Sequence, residues 1–222
     1  MGEGSHMKIH FDSPQIEKEF SDRVITLPIS EDANTNFAVG MALAGAKPIV
    51  DVITADFLYR TMDSICNTVA KTNFVSDPKT IVIRSEFMTA GPTTGQRPES
   101  LFTHIPGLNV VIPSNPLDAR GLMDTALQEK AATLFFEDRM IEDATTHSHD
   151  MDKKGWWDKI PLGKARIVRI GHKLTIVSYG LTLRMLDLLF EREKLEYELI
   201  DLRTIYPVDL ELVCKSGSKR GA

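Results

Sequence analysis

Leu27-Pro28-Ile29-Ser30-Glu31 closes a short apolar run. Phe37-Ala38-Val39-Gly40-Met41-Ala42-Leu43-Ala44-Gly45 follows it and leads into Lys47-Pro48-Ile49-Val50-Asp51-Val52-Ile53. Val24–Ile29 reads as a strand. Glu31–Ala44 reads as a helix, because Phe37, Met41 and Ala44 recur at helical spacing in an Ala- and Met-rich background. Gly45 supplies the stop. Pro48–Ile53 is an apolar run of strand length, as expected of a strand covered on both faces. Strand, helix, strand in succession points to an α/β sheet of parallel strands.

Working outward, Asp56–Asn73 reads as one long helix with Phe57, Thr61, Ile65, Val69 and Thr72 along one side. Thr80–Arg84 is the next strand. Ser85–Ser100 is rich in Gly, Pro and Thr and has no periodicity, and loops of this length in a folded domain are often functional. Asn109–Ile112 and Thr133–Glu137 read as strands. Between them Asn115-Pro116 opens a helix, Asn as its cap and Pro in its first turn.

Asp138–Lys159 is polar, holds His147, His149, Trp156 and Trp157, and reads as a linker whose histidines are solvated. Ala165–Arg169, Leu174–Tyr179, Leu181–Lys194 and Tyr197–Asp201 then give strand, strand, helix, strand. The expected organisation is one α/β domain over 8–145, a linker over 146–160, and the beginning of a second α/β domain over 161–222. Residues 1–7 read as a cloning remnant. The polar end, Lys215–Ala222, is expected to be disordered.

The 222 residues are 42% hydrophobic and 26% charged, with a formal charge of −5. That balance fits a soluble globular protein and argues against nucleic acid as a partner, since phosphate binding favours a basic face. The sequence has no apolar run of about 18 residues and no signal-peptide pattern, so neither a membrane span nor secretion is expected. Cys66 and Cys214 read as two reduced thiols of a cytoplasmic protein. The absence of GxGxxG and GxxxxGK[ST] loops removes the main support for dinucleotide or P-loop binding.

Several of these segments, in order, resemble the beta subunit of the 2-oxo-acid dehydrogenases, thiamine-diphosphate enzymes with a transketolase-like pyrimidine-binding domain. They are Ile16–Ile25, Leu27–Glu31, Phe37–Gly45, Asn67–Thr72, His104-Ile105-Pro106-Gly107-Leu108, Val110–Ala119, Pro161–Ala165, Thr175–Gly180 and Ile200–Ile205, together with Pro207. The resemblance implies a parallel sheet flanked by helices, followed by the start of a transketolase C-terminal-like domain. It also implies oxidative decarboxylation of a 2-oxo acid, with thiamine diphosphate shared between this chain and an alpha-type partner that holds the diphosphate and its magnesium. The expected assembly is a hetero- or homo-oligomer.

On the same resemblance, Glu31 is the carboxyl that faces the aminopyrimidine ring nitrogen. Sharing a proton there favours the imino form of the ring, whose nitrogen then takes the proton from the thiazolium carbon. Its own chemistry admits a plainer role as an acidic residue in a first helical turn after Ser30. Phe57 matches the ring that packs on the pyrimidine, and Arg60 stands where the family often has glutamine. The carbonyls of Ile81, Ala126, Leu127 and Glu129 match a structural potassium site of some relatives. His104 reads as structural.

Three departures from the family pattern stand out. Thr94 falls where the family has a loop histidine, and threonine does not shuttle protons near neutral pH. The family's first helix and strand have no counterpart, which is expected to expose a sheet edge. The second domain stops after its first elements.

Overall fold

The first helix, α1 (Glu31–Leu43), buries Ala38, Val39 and Ala42 and turns Phe37 outward. It ends as expected at Gly45, whose φ is +96°. The N–H of Gly45 donates to the carbonyl of Ala42 and that of Ala46 to the carbonyl of Met41, both at 3.0 Å. These two bonds form a Schellman closure, which requires the left-handed backbone that glycine adopts without steric cost. This computed structural model describes residues 2–3, 18–88, 91–142 and 159–218. His147, His149, Trp156 and Trp157 lie outside them.

The chain divides into two units, one reaching to Leu108 and including Leu127–Phe136, the other taking Asn109–Ala126 and the chain from Glu137 onward. In the first unit, strands β1 (Gly2–Glu3), β2 (Thr26–Leu27), β3 (Ile49–Thr54), β4 (Ile81–Phe87) and β6 (Ala132–Asp138) lie in the order β6-β4-β3-β1-β2. The pairings β1–β2, β1–β3 and β3–β4 are parallel. Gly2 pairs with Thr26 on one side and Asp51 on the other, so a strand from the stretch set aside as a remnant fills the place between β2 and β3.

Val50, Val52, Ile81, Ile83 and Leu134 are buried on this sheet. Phe87 stacks on Phe136 with centroids 5.0 Å apart, and Phe102 tilts against the same ring at 6.4 Å. Gly107 turns the chain with φ +92°, and a Cβ there would lie 2.3 Å from the carbonyl oxygen of Ala70.

The helix expected over Asp56–Asn73 is present but not as one α-helix. Ala55–Thr61 is 3-10, Ser64–Val69 is a π-helix and Ala70–Val75 is α. Apolar spacing cannot separate these forms. They differ only in which carbonyl each N–H reaches, as when the N–H of Ala70 bonds the carbonyl of Ile65.

In the second unit, β5 (Leu108–Val111) pairs antiparallel with β10 (Thr204–Tyr206). Helix α2 (Pro116–Gln128) is capped as the sequence predicts: Asn115 Oδ1 accepts the N–H of Asp118 at 2.9 Å, and its Nδ2 donates to the Asp118 carboxylate at 2.8 Å. Strands β7 (Arg166–Arg169), β8 (Thr175–Ser178) and β9 (Glu198–Asp201) form a sheet in the order β7-β9-β8. β8–β9 is parallel and β7–β9 antiparallel. The strands are therefore mixed rather than all parallel, because the short turn from β7 to β8 reverses the chain while the helix between β8 and β9 returns it in the same direction. That helix, α3 (Gly180–Arg192), packs Leu183 and Phe190 on Leu199, and Phe190 meets Tyr197 edge-on at 5.5 Å.

The expected disorder from Lys215 is corrected over Lys215–Ser218, which belong to helix α4 (Leu210–Ser218). Asp209 Oδ1 caps its start through the N–H of Leu212 at 3.2 Å, and buried Ser216 donates to the Glu198 carboxylate. Polarity misled here, because a helix that rests on one small buried residue reads as a solvated tail.

A polar cluster ties the second unit together. Asp118 contacts Arg166 at 3.1 Å and Arg203 at 3.7 Å, while Ser114 donates to Asp201 at 2.9 Å. The Arg203 guanidinium, on a residue with φ +58°, donates to the carbonyl of Lys164 at 2.8 Å. Asp201 is fully buried and Arg166 Nη2 stays 3.7 Å from its Oδ2. Burial and then the neighbouring Asp118 charge push the Asp201 carboxyl up to about 6, and burial pulls the Arg203 guanidinium down.

Candidate pyrimidine-binding site

At the end of β3 the ladder shifts register between Asp51 and Thr54. Ile53 sits at φ +58°, a strained backbone for a β-branched residue, and its N–H donates to Asp51 Oδ1 at 2.8 Å. Arg84 holds the other Asp51 oxygen at 2.9 Å and reaches Glu86 at 3.0 Å. This buried ion group fixes the kink from which the 3-10 turn carrying Phe57 and Arg60 leaves the sheet.

Ile29, Ser30, Glu31, Asp32, Phe57 and Arg60 line one pocket of about 370 Å³. The three residues expected to bind the cofactor are thus brought together by the start of α1 and the 3-10 turn. Glu31 is 8% exposed, and its carboxylate has no hydrogen bond or ion pair among the described residues. It stands at a helix N-terminus, where the helix dipole favours negative charge. Asn34 Nδ2 donates to the carbonyl of Pro28 at 3.1 Å, and Thr35 Oγ1 to the carbonyl of Glu31 at 2.8 Å, so the approach to the helix is tied to its first turn. The set offers a buried carboxyl, an aromatic face and a guanidinium, which suits a planar, nitrogen-rich ring with donors at its edge.

Thr94 is half-buried in the loop between the 3-10 turns Gly91–Thr93 and Glu99–Leu101. The backbone N–H of Gln96 lies 3.4 Å from Asp56 Oδ1, next to Phe57, and the Arg97 guanidinium lies 4.2 Å over the Phe87 ring. Of the potassium candidates, Ile81 opens β4, Ala126 and Leu127 lie in the last turn of α2, and Glu129 follows it. The Glu129 carbonyl accepts the Thr80 hydroxyl at 2.7 Å. Among the described residues no three of His, Cys, Asp and Glu gather as a metal site. His104 is exposed in the turn before Gly107. Cys66 and Cys214 are free thiols. No helix of the described residues is long and apolar enough to cross a membrane.

Sequence reasoning missed Asp32, Asn36 and Ser64. Asn36 donates to Ser64 Oγ at 2.5 Å, and Ser64 donates to Asp32 Oδ1. Spacing alone does not show this link, because Ser64 lies on a different element from Asp32 and Asn36.

Glu31 at the start of α1 and Phe57 on the 3-10 turn thus line one pocket beside the sheet. The profile of the transketolase pyrimidine-binding domain matches residues 2–141, and that of the transketolase C-terminal domain matches 163–222. The chain belongs to this transketolase family, and the match begins at Gly2, inside the stretch first set aside. It is 37% identical over 216 residues to the 2-oxoisovalerate dehydrogenase subunit beta, mitochondrial, of Dictyostelium discoideum, covering 92% of this chain and 57% of that one. It is 34% identical over 208 residues to the pyruvate dehydrogenase E1 component subunit beta of Rickettsia bellii, covering 90% and 62%. The chain therefore spans about three fifths of the length of these relatives. A split gene transketolase, solved as an inactive beta4 tetramer, matches with a TM-score of 0.80 at 16% identity, over 100% of this chain and 71% of that one.

Proposed function

We propose that this chain is a beta-type subunit of a thiamine-diphosphate-dependent 2-oxo-acid dehydrogenase. It contributes the aminopyrimidine pocket, and an alpha-type chain contributes the diphosphate and magnesium site. The observation that carries this reading is the single pocket lined by Glu31, Phe57 and Arg60. The donor set fits the ring: the Glu31 carboxylate accepts from or shares a proton with a ring nitrogen, Phe57 offers an apolar face, and Arg60 adds a hydrogen-bonding cation. When bound, the cofactor supplies the carbanion chemistry of decarboxylation. The chain's residues bind and orient the ring and hold the proton at the Glu31 carboxyl. The names of the relatives favour a 2-oxo acid as substrate. On this reading the Gly2–Glu3 strand is part of the domain. A potassium ion on the carbonyls of Ile81, Ala126, Leu127 and Glu129, and a cytoplasmic location, remain parts of the proposal.

Affinity purification of the full chain from its source lysate, with mass spectrometry of what accompanies it, tests the reading. A stoichiometric partner with a diphosphate-binding domain supports it. Recovery of the chain alone or with an unrelated protein sinks it. A second reading, a diverged protein that keeps the fold for assembly or ligand sensing, draws on Thr94 at the histidine position. It predicts partner binding with no turnover for Glu31→Gln to remove.

A further inference from the structure

The N-cap residue of α1, Ser30, makes no side-chain capping bond, although Glu31 directly follows it. The first turn is linked instead to Ser64 on the following segment. Asn36 Nδ2 donates to the carbonyl of Asp32 at 3.0 Å and to Ser64 Oγ at 2.5 Å, and Ser64 Oγ donates to the Asp32 carboxylate. Ser64 is 2% exposed and opens the π-helix that follows the turn carrying Phe57 and Arg60. One hydroxyl therefore ties the first turn of α1 to the start of the π-helix, which follows the 3-10 turn that lines the pocket with Phe57 and Arg60. Ser64 is buried while Asp32 is exposed, and a hydrogen bond to a charged group is stronger than one between neutral groups. A π-turn within a helix often marks a position kept for a site rather than for helix stability.

We infer that Ser64, braced by Asn36, is a positioning residue that fixes the Glu31 carboxyl relative to Phe57 and Arg60. The inference rests on the reading of Glu31 as the carboxyl that faces the cofactor ring. Asp32 and Ser64 set the distance between the two walls of the pocket, and Asn36 orients the Ser64 hydroxyl toward Asp32. Without the bridge the first turn frays, because no side chain caps it, and Glu31 samples positions away from the ring.

The test uses the full chain, alone and assembled with its diphosphate-domain partner, as Ser64→Ala and Asn36→Ala. Asn36 is exposed, so the second variant keeps the fold if the buried substitution does not. Hydrogen exchange of the free chain is expected to quicken about tenfold at the Asn34 and Thr35 amides in both variants, with the amides of β4 unchanged. In the complex, the dissociation constant for magnesium thiamine diphosphate is expected to rise about tenfold. The turnover number should stay low at saturating cofactor, because saturation refills the pocket without restoring the carboxyl's position. Unchanged exchange would show that the bridge does not hold the first turn, and full turnover at saturation that it only braces the fold; either would overturn the inference. A wild-type complex that binds no cofactor, indistinguishable from Glu31→Gln, would instead overturn the functional reading and the inference with it.

Discussion

Glu31 occupies a position with two uses, a helix start and a pocket wall, and the structure shows both at once. Substituting it isolates the second. Glu31→Gln keeps the size and the helix start but removes the acid, so turnover of the assembled enzyme should fall more than a hundredfold, as for loss of a positioned acid–base group. Its thermal midpoint should stay near that of wild type, and a steady-state assay beside a melting curve checks both.

Asp201 allows a different residue-scale test. Its carboxyl is raised to about 6 in the folded chain by burial and by Asp118. The folded state therefore binds this proton more tightly than the unfolded state, and the Asp201 contribution to stability falls as pH rises from about 4 through 6. Urea denaturation at pH 5 and pH 7 should show Asp201→Asn gaining on wild type at the higher pH, by on the order of 1 kcal/mol. A difference that does not vary with pH would contradict the assignment.

At the scale of elements, turn chemistry was the most legible feature of the sequence. Gly45 ends α1 where its spacing stops, and Asn115-Pro116 opens α2 with the reciprocal cap. Asn115→Ala should cost about 1 kcal/mol in denaturant unfolding. Gly107→Ala should cost about 2 kcal/mol or more, since φ is +92° and the new methyl meets the Ala70 carbonyl.

What was not legible was backbone form that depends on tertiary partners. Nothing in Ile53 announces φ +58°, because the Asp51 carboxylate that satisfies its N–H is itself fixed by Arg84 on another strand. The division of 55–75 into 3-10, π and α segments was hidden for the same reason. The three pocket residues were found because resemblance carried Glu31, Phe57 and Arg60 to numbered positions. The bridge that braces them was not, since it joins residues 28 to 32 positions apart in sequence.

For the whole molecule, the family and its two matched domains account for the order of strands and helices along nearly all of the chain. On the proposed reading this chain supplies the pyrimidine side of a shared cofactor site, so the activity belongs to an assembly. The most direct measurement is calorimetric titration of magnesium thiamine diphosphate into the chain assembled with its diphosphate-domain partner, for wild type and Glu31→Gln. The account predicts saturable binding by wild type, one cofactor per pocket, and clearly weaker binding by the variant. Equal affinity for both, or no binding by either, would contradict a cofactor ring seated against Glu31.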